Sequence, residues 1–174
     1  MKIVALCSLA LSALIAGACA DAPPAMQRSD QDVTKLMAVN DNLIVPGERI
    51  GPVFLGMTDA QLYKKFGNPS ESRQAGTGFT AYFYSTFMVY VGVSTHKVAS
   101  ITSPTGNSTY SGYATREGVK VGSSGLEVQA KLPGSSLTLD SPAVGYSKYN
   151  YPSGMVLSLD PTGTVYSVEI IPAY

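Results

Sequence analysis

The sequence contains no tryptophan, one histidine and two cysteines, and both cysteines lie within the first nineteen residues. Metal sites built from histidine and cysteine, and cysteine nucleophiles, are therefore nearly excluded from the rest of the chain. No net charge is available either, because twelve Lys and Arg balance twelve Asp and Glu. Nucleic-acid binding consequently loses its usual electrostatic support.

The composition is that of folded protein. The chain has 174 residues, of which 45% are hydrophobic and only 14% are charged, and this predicts one ordinary domain or two very small ones. Seventeen glycines, eleven prolines and eleven tyrosines favour many turns and strands with aromatic faces over a helical bundle.

Residues 1–18 are typical of an export signal. Lys2 precedes an uncharged apolar run at residues 3–15, which is too short for a permanent membrane span, and small residues follow. Two cleavage interpretations remain open. Residues 14–19 resemble a bacterial lipobox ending at Cys19, whereas Ala18-Cys19-Ala20 also has the small-x-small form that the ordinary signal peptidase uses. We favour the lipobox because it alone explains a cysteine at this point.

Lipidation of Cys19 would hold the protein on a membrane by acyl chains alone, with its body in water. Resemblance to lipoproteins implies that Ala20, in place of Asp, permits sorting to an outer membrane, where the body would face the periplasm. The alternative is a soluble periplasmic or secreted protein. Cys7 lies in the discarded leader, so the mature chain has no disulfide under either interpretation.

Residues 19–46 are interpreted as a tether. The segment begins with Asp-Ala-Pro-Pro and continues with polar residues that only a few apolar ones interrupt. Residues 33–39 could form one or two weak amphipathic turns, but no capped helix is signalled.

From residue 47 the chain shows an internal repeat with a period of about 66 residues, in which residues 53–67 correspond to residues 119–133. Each copy starts with alternating apolar residues, typical of a short strand, followed by a glycine. Thr58-x-x-Gln61 and Ser124-x-x-Glu127 then have the form of capping boxes that start short helices. The predicted units are residues 47–112 and 113–174.

An antiparallel meander is predicted after each helix. Alternating residues at 79–93 and 149–159 indicate strands, and residues 94–97 and 160–163 indicate hairpin turns. Residues 110–115 are predicted to form a linking strand. The expected fold is α+β, with two tandem repeats, each a short helix followed by a meander, and with the helices packed on one face of the sheet.

The stretch at residues 51–58, with Phe66-Gly67-Asn68-Pro69 after the helix, resembles repeats of the β-lactamase inhibitor protein fold and of the BamE-type lipoproteins of outer-membrane barrel assembly. That resemblance implies helices on one side of an antiparallel sheet whose other face is free to bind protein. The chain departs from the inhibitors by lacking disulfides and tryptophan, so no inhibitory residue is carried over. It departs from the assembly lipoproteins by having two copies.

No catalytic, metal or cofactor site is predicted. His96 is the only imidazole and falls in a predicted turn, which explains it better than catalysis does. Residues 122–125 do not form a Gly-x-Ser-x-Gly elbow, and helix capping already accounts for Ser124. The remaining acidic residues are scattered along the chain.

Tyrosines are the remaining candidates for a binding site. By strand parity they are expected on a sheet face opposite the helices, where they would form a protein-binding surface. The alternative is that the rings only stabilise cross-strand pairs on a half-wet sheet. The candidate residues are Tyr82, Tyr84, Tyr90, Tyr149 and Tyr151.

The sequence thus predicts a non-enzymatic envelope lipoprotein that binds a protein partner, either an envelope assembly component or a secreted enzyme. The alternative is a soluble periplasmic or secreted inhibitor of the β-lactamase inhibitor type, which blocks an enzyme. A third interpretation, an enzyme or small-ligand carrier, would need a deep pocket ringed by titratable groups.

Overall fold

A computed structural model describes residue 39 and residues 41–103, 112–141 and 145–174. The predicted export signal, Cys19, most of the tether and the first part of the predicted linking strand lie outside the described residues. Within the described part, Ala114 forms one isolated parallel bridge with Leu43, so residues 112–115 make a single pairing and not a strand.

A small sheet forms at the start of the described chain. Its antiparallel strands are β1 (Ile44–Val45), β2 (Arg49–Ile50) and β3 (Val53–Phe54), in the order β1-β2-β3. Ile44 pairs with Ile50, and both side chains are buried. The prediction that the tether extends to residue 46 is therefore wrong at its end, because burial of Ile44 in the core fixes this segment.

Two helices and eight further strands follow in the described residues, which makes the fold α+β, as predicted. The bounds are α1 (Asp59–Phe66), β4 (Glu71–Ala75), β5 (Phe79–Phe83), β6 (Met88–Gly92), β7 (Val98–Thr102), α2 (Gly125–Lys131), β8 (Ser136–Ser141), β9 (Tyr146–Tyr151), β10 (Met155–Leu159) and β11 (Val165–Ile170).

The eight long strands form one antiparallel sheet in the order β4-β5-β6-β7-β11-β10-β9-β8. The strands that follow α1 therefore occupy one half and the strands that follow α2 the other. The halves meet where Ile101 of β7 pairs with Ile170 of β11. This leaves β4 and β8 as the two edges.

The two faces of the large sheet differ in burial. Directly paired residues share a face, so Tyr149 lies with Leu157 and Val168, and Tyr82 lies with Val89 and Ile101. We call this side the Tyr149 face. The opposite side, the Tyr90 face, carries the row of paired residues Arg73, Ala81, Tyr90 and Ser100.

One hydrophobic core joins both sheets and both helices. It contains Phe54 of the small sheet, Leu62 of α1, Val128 of α2, and the buried residues of the Tyr149 face such as Leu157. Leu62 and Val128 are the residues by which the amphipathic stripes of the two short helices reach this core.

The helix starts agree only in part with the predicted capping boxes. At α1 the box is complete: Thr58 Oγ1 accepts from the amide of Gln61 at 3.2 Å, and Gln61 Oε1 accepts from the amide of Thr58 at 2.8 Å. At α2, Ser124 Oγ accepts from the amide of Glu127 at 3.2 Å, but Glu127 Oε1 accepts from Lys131 Nζ at 2.6 Å. The serine half of the second box is confirmed, and the Glu127 carboxylate is shared: hydrogen bonds from Lys131, from the Ser123 hydroxyl and from the Ser124 backbone lower its pKa.

The strand openings also differ. Val53 belongs to β3 as predicted, whereas Val119 is buried outside any strand and donates its amide to Thr115 Oγ1 at 3.2 Å. The predicted strand at the start of the second unit is thus absent from the described residues, and a compact turn stands in its place.

Candidate functional site: the two faces of the sheet

Tyr149 and Tyr151 belong to the core, contrary to their predicted place on a free face. Each is only 6% exposed. Gln129 Nε2 donates to the Tyr149 hydroxyl at 2.8 Å, and the Tyr151 hydroxyl donates to the carbonyl oxygen of Leu132 at 3.0 Å. Burial raises the pKa of Tyr151. The rings therefore hold α2 against β9 and leave little surface for a partner.

Tyr82 and Tyr84 are half-buried at the other helix. The ring centroid of Tyr82 lies 5.8 Å from that of Tyr63 in α1, and Tyr84 stacks on Phe87 at 4.7 Å and meets Phe66 edge-on at 5.9 Å. A hydrogen bond with Tyr63, followed by burial, raises the pKa of Tyr82 to about 12, and burial raises the pKa of Tyr84 to about 12. Tyr63 and Phe66 belong to α1, so Tyr82 and Tyr84 both contact this helix. Their predicted position on the face opposite the helices is therefore wrong.

Tyr90 alone of the five candidates lies on the other face. It pairs with Ala81 and Ser100, whereas Tyr82 pairs with Val89. Tyr82 of β5 and Tyr90 of β6 both have even residue numbers, but this does not place them on the same face. The register of pairing between the two strands decides which residues share a face. The five tyrosines therefore do not form one surface.

The Tyr90 face carries an aromatic surface that the sequence analysis missed. Phe79 is 43% exposed, while Phe83, Met88 and Tyr90 are half-buried. Phe83 pairs with Met88, so these side chains are neighbours on β5 and β6. We call the four residues the Phe79 strip. The sequence shows the alternation of Phe79, Ala81 and Phe83 with polar residues, but it does not show on which face of the sheet these three side chains lie.

A cation borders the Phe79 strip. The Arg73 guanidinium lies 5.5 Å from the centroid of the Phe83 ring and forms an exposed ion pair with Glu71. Arginine over an aromatic face and large apolar side chains are typical of the centres of protein interfaces. The same face of the second half carries Lys148 and Asn150 on β9, where Asn150 Nδ2 donates to Thr138 Oγ1 at 2.9 Å, and also Tyr146, whose ring lies 5.6 Å from that of Tyr166.

His96 closes the hairpin between β6 and β7, in agreement with its interpretation as a turn residue. Its φ is 53°, and its side chain is 69% exposed. Its Nδ1 atom lies 3.1 Å from Oδ2 of Asp59. No group of three or more His, Cys, Asp or Glu residues able to hold a metal ion occurs among the described residues.

The helices of the described chain are short. None of them combines the length and the apolar composition needed to cross a bilayer.

No family model matches the chain, and no curated protein matches it. The solved structures that are similar to the chain include the following three, all at low identity. An extracellular protein containing a SCP domain from Bacillus anthracis is 13% identical, with a TM-score of 0.48, over 68% of this chain and 44% of that one.

A DUF4309 family protein from Bacillus subtilis is 14% identical, with a TM-score of 0.46, over 66% of this chain and 78% of that one. A cysteine-rich secretory protein from Staphylococcus aureus is 16% identical, with a TM-score of 0.44, over 77% of this chain and 50% of that one. The chain thus spans half or less of the first and third of these proteins. These values assign the chain to no family.

Proposed function

We propose that the protein is a non-enzymatic lipoprotein of the bacterial envelope that binds a protein partner through the Phe79 strip. The observation that carries the proposal is the exposure of this strip on the Tyr90 face, next to Arg73. Large apolar and aromatic side chains beside an arginine are the residues that contribute most of the binding energy in protein interfaces. The mechanism is surface complementarity without turnover.

The proposed architecture is a tandem repeat with both helices on the Tyr149 face. Matching hydrogen bonds support it: the amide of Gly56 donates to Val98 O at 2.8 Å, and the amide of Gly122 donates to Val165 O at 2.8 Å. Both glycines have positive φ, 80° and 95°, in the turn before the helix cap. Thr58 and Ser124 then bridge Lys97 and Thr164, respectively.

This arrangement leaves the Tyr90 face for the partner. It is the arrangement that the resemblance to inhibitor-type and BamE-type repeats implies, with the tyrosines transferred from the binding face to the helix side. Among the predicted binding residues only Tyr90 keeps its role. Phe79, Phe83 and Met88 join it.

The lipid anchor at Cys19 is the second part of the proposal. An acyl-anchored protein of this kind sits on the periplasmic side of an outer membrane and presents its sheet to other envelope components. Cys19→Ser should release the chain from the membrane fraction into the soluble fraction. Unchanged partitioning would contradict the anchor and would favour the soluble alternative.

Crosslinking in the native envelope tests the binding face. A photoreactive benzoylphenylalanine placed at Phe79 or Tyr90 should give one discrete protein adduct. The adduct should disappear when Phe83→Ser is added, because that change removes the apolar centre of the strip. Val156, on the same face of the second half, provides the matched control position and should give no such adduct. Equal adducts from Val156 and Tyr90 would contradict the proposal.

The soluble inhibitor is kept as a second candidate because the tandem form favours it. Two halves that share one sheet of eight strands offer a longer face than a single repeat does. Under this candidate the adduct is a secreted enzyme whose activity falls when the protein is added. Under the first candidate the adduct is a resident envelope protein.

A further inference from the structure

A groove of about 330 Å³ lies beside α2 in the second half. Its volume is at the lower end of the range of ligand pockets, ~300–1,000 Å³. Three leucines and a tyrosine line the groove together with Ser, Thr, Gly and Gln residues, and none of the lining residues is Asp, Glu, Lys or Arg. The residues that shape it are Leu126, Gln129, Leu137, Tyr149, Leu159 and Gly163.

The groove exists because the second half has small residues where the first half has large ones. The amide of Asp59 donates to His96 O at 3.1 Å, and the amide of Gly125 donates to Gly163 O at 2.7 Å. Asp59 and His96 therefore correspond to two glycines. In the first half their side chains also meet, with 3.1 Å between Asp59 Oδ2 and His96 Nδ1. In the second half the space beside Gly163 is open, since a Cβ there would meet no atom within 4 Å, whereas Gly125 already packs against Leu159.

A third replacement enlarges the groove further. Tyr63 follows the buried Leu62 in α1, and its ring covers Tyr82 at 5.8 Å. Gln129 follows the buried Val128 in α2, where only its amide reaches the Tyr149 hydroxyl. An aromatic cover is thus replaced by a slender side chain.

At the rim of the groove, the side chains of the second half are larger than the corresponding side chains of the first half. Leu126 is 81% exposed and Leu137 is 55% exposed. The corresponding positions of the first half hold Ala60, which follows Asp59, and Ser72, which pairs with Tyr82 as Leu137 pairs with Tyr149. A single exposed leucine is ordinary, but two leucines on the rim of one uncharged groove indicate an apolar occupant.

Strand β8 forms an open edge next to this groove. The sheet ends at β8 among the described strands, and no described strand pairs with the outer side of β8. The opposite edge, β4, carries Glu71 and Arg73 in a five-residue strand, and such charges protect edges from pairing. In β8 the sequence Ser-Leu-Thr-Leu-Asp-Ser has one charged residue in six.

From the groove and the open edge together we propose a peptide-binding site. An extended, uncharged segment of a partner protein pairs with β8 and inserts one large apolar side chain between Leu126 and Leu137. Backbone hydrogen bonds to the edge supply affinity, and the groove selects the side chain. This site is separate from the Phe79 strip, and it rests on the correspondence of the two halves in the proposed architecture and on the edge strand β8.

The area of the edge favours a peptide over a second copy of the chain. A strand of six residues is about 20 Å long and, at a width of about 10 Å, offers roughly 200 Å² to a neighbour. Stable protein interfaces bury about 800 Å² per partner. Pairing of β8 with β8 of a second copy would fall well short of this area.

Two capped peptides test the proposal: Thr-Val-Thr-Phe-Thr-Val-Thr and the same peptide with serine in place of phenylalanine. Each is titrated into the mature chain carrying Cys19→Ser, and amide resonances are followed by NMR. The phenylalanine peptide should shift the resonances of β8 and the side-chain amide of Gln129. The serine peptide should bind at least fivefold more weakly.

Two variants separate the groove from the fold. Gln129→Tyr restores the cover found in the first half and should weaken peptide binding about tenfold. The matched change Tyr63→Gln, in the first half, should leave peptide binding unchanged. Leu126→Ser alters a side chain that is already 81% exposed, so it should leave folding intact while weakening binding severalfold.

Several results would overturn the peptide site. These are no shift in β8 at millimolar peptide, shifts confined to the Phe79 strip, equal binding of the two peptides, and full affinity in both Gln129→Tyr and Leu126→Ser. Dimerisation through β8 in sedimentation, without peptide binding, would assign the edge to a second copy instead. Loss of crosslinks at Phe79 with retained peptide binding would contradict only the proposed function.

Discussion

The side-chain amide of Gln129 donates a hydrogen bond of 2.8 Å to the hydroxyl of Tyr149 and thereby joins helix α2 to strand β9. One turn further on, the Tyr151 hydroxyl donates to the carbonyl oxygen of Leu132 at 3.0 Å. Two tyrosines of one strand thus satisfy polar groups of the helix above them. The hydroxyl groups of Tyr149 and Tyr151 therefore stabilise the packing of α2 on β9.

Tyr151→Ala should lower the free energy of unfolding by about 3–5 kcal/mol, because it leaves a cavity in the core. Tyr151→Phe keeps the ring and should cost only about 1 kcal/mol for the lost hydrogen bond to Leu132. Urea unfolding of the two variants measures both values. Tyr166→Phe, whose ring contacts Tyr146 at 5.6 Å, serves as a surface control and should lie within about 0.5 kcal/mol of the parent. A Tyr151→Ala value as small as that of the control would place the ring outside the core.

Asp41→Asn should make stability less dependent on acid. The buried Arg49 guanidinium donates to both carboxylate oxygens of Asp41, at 2.6 and 2.9 Å, and this contact lowers the pKa of Asp41. Since folding lowers this pKa, the stabilisation is present above the unfolded value of about 3.9 and is lost as the pH falls through the folded value. The carboxylate is 41% exposed, so solvent screening limits the effect to about 1 kcal/mol.

Urea unfolding at pH 7 and at pH 2 tests this expectation. The parent should exceed Asp41→Asn at pH 7 and match it at pH 2. Glu71→Gln, which removes the partner of the exposed Arg73, should change stability little at either pH. A difference that persists at pH 2 would mean that the carboxylate acts through packing and not through its charge.

Tyr82→Phe should reduce the loss of stability at alkaline pH. Folding raises the pKa of Tyr82 to about 12, first through the hydrogen bond with Tyr63. The stabilisation is therefore complete below the unfolded value of about 10 and is lost as the pH rises through 12. Unfolding by urea between pH 9 and 12 should show a shallower decline in Tyr82→Phe than in the parent. Parallel declines would contradict the assignment.

Gln61→Ala and Glu127→Ala should differ in their response to salt. Gln61 completes the capping box of α1, a local hydrogen bond, so its loss should cost about 0.5–1 kcal/mol at any ionic strength. Glu127 forms an exposed ion pair with Lys131, so its loss should destabilise the protein slightly at low salt and almost not at all at 1 M salt. Thermal unfolding in low and high salt separates the two. Equal salt dependence would mean that Glu127 acts as a cap.

Much of the fold could be predicted because its signals are local. Thr58 and Gln61 are three residues apart, and their reciprocal bonds form within one helical turn. The turn at Asp160 is equally local, since its Oδ1 accepts from the amides of Thr162 and Thr164. Interactions of this kind need no distant partner, so the sequence alone predicts them.

Strand β4 shows why other elements were missed. Its sequence, Glu-Ser-Arg-Gln-Ala, has no apolar alternation, and four of its five residues are exposed. An edge strand with little buried surface leaves no period-two pattern in the sequence. Pairing with β5 is what makes it a strand. The sequence therefore predicts no strand at residues 71–75.

The candidate site was predicted least well. Alternation along β5 indicated two faces, but it did not indicate which face the helices would contact. That choice depended on pairing Tyr82 with Val89, which lies across a loop, and on the approach of Tyr63 from α1. Three apolar residues of the Phe79 strip were assigned no binding role for this reason.

By itself the sequence determined the short-range features of the described chain: both helices, the helix-starting hydroxyls of Thr58 and Ser124, the hairpin turns and the α+β class. Only the tertiary structure decided that Tyr149 and Tyr151 are core, that Ile44 belongs to the fold, and that a groove opens beside Gln129. The physical reason is the separation in sequence between the residues that interact. Capping and turn bonds join residues a few positions apart, whereas the register between strands and the packing of a helix against them depend on residues far apart in the chain.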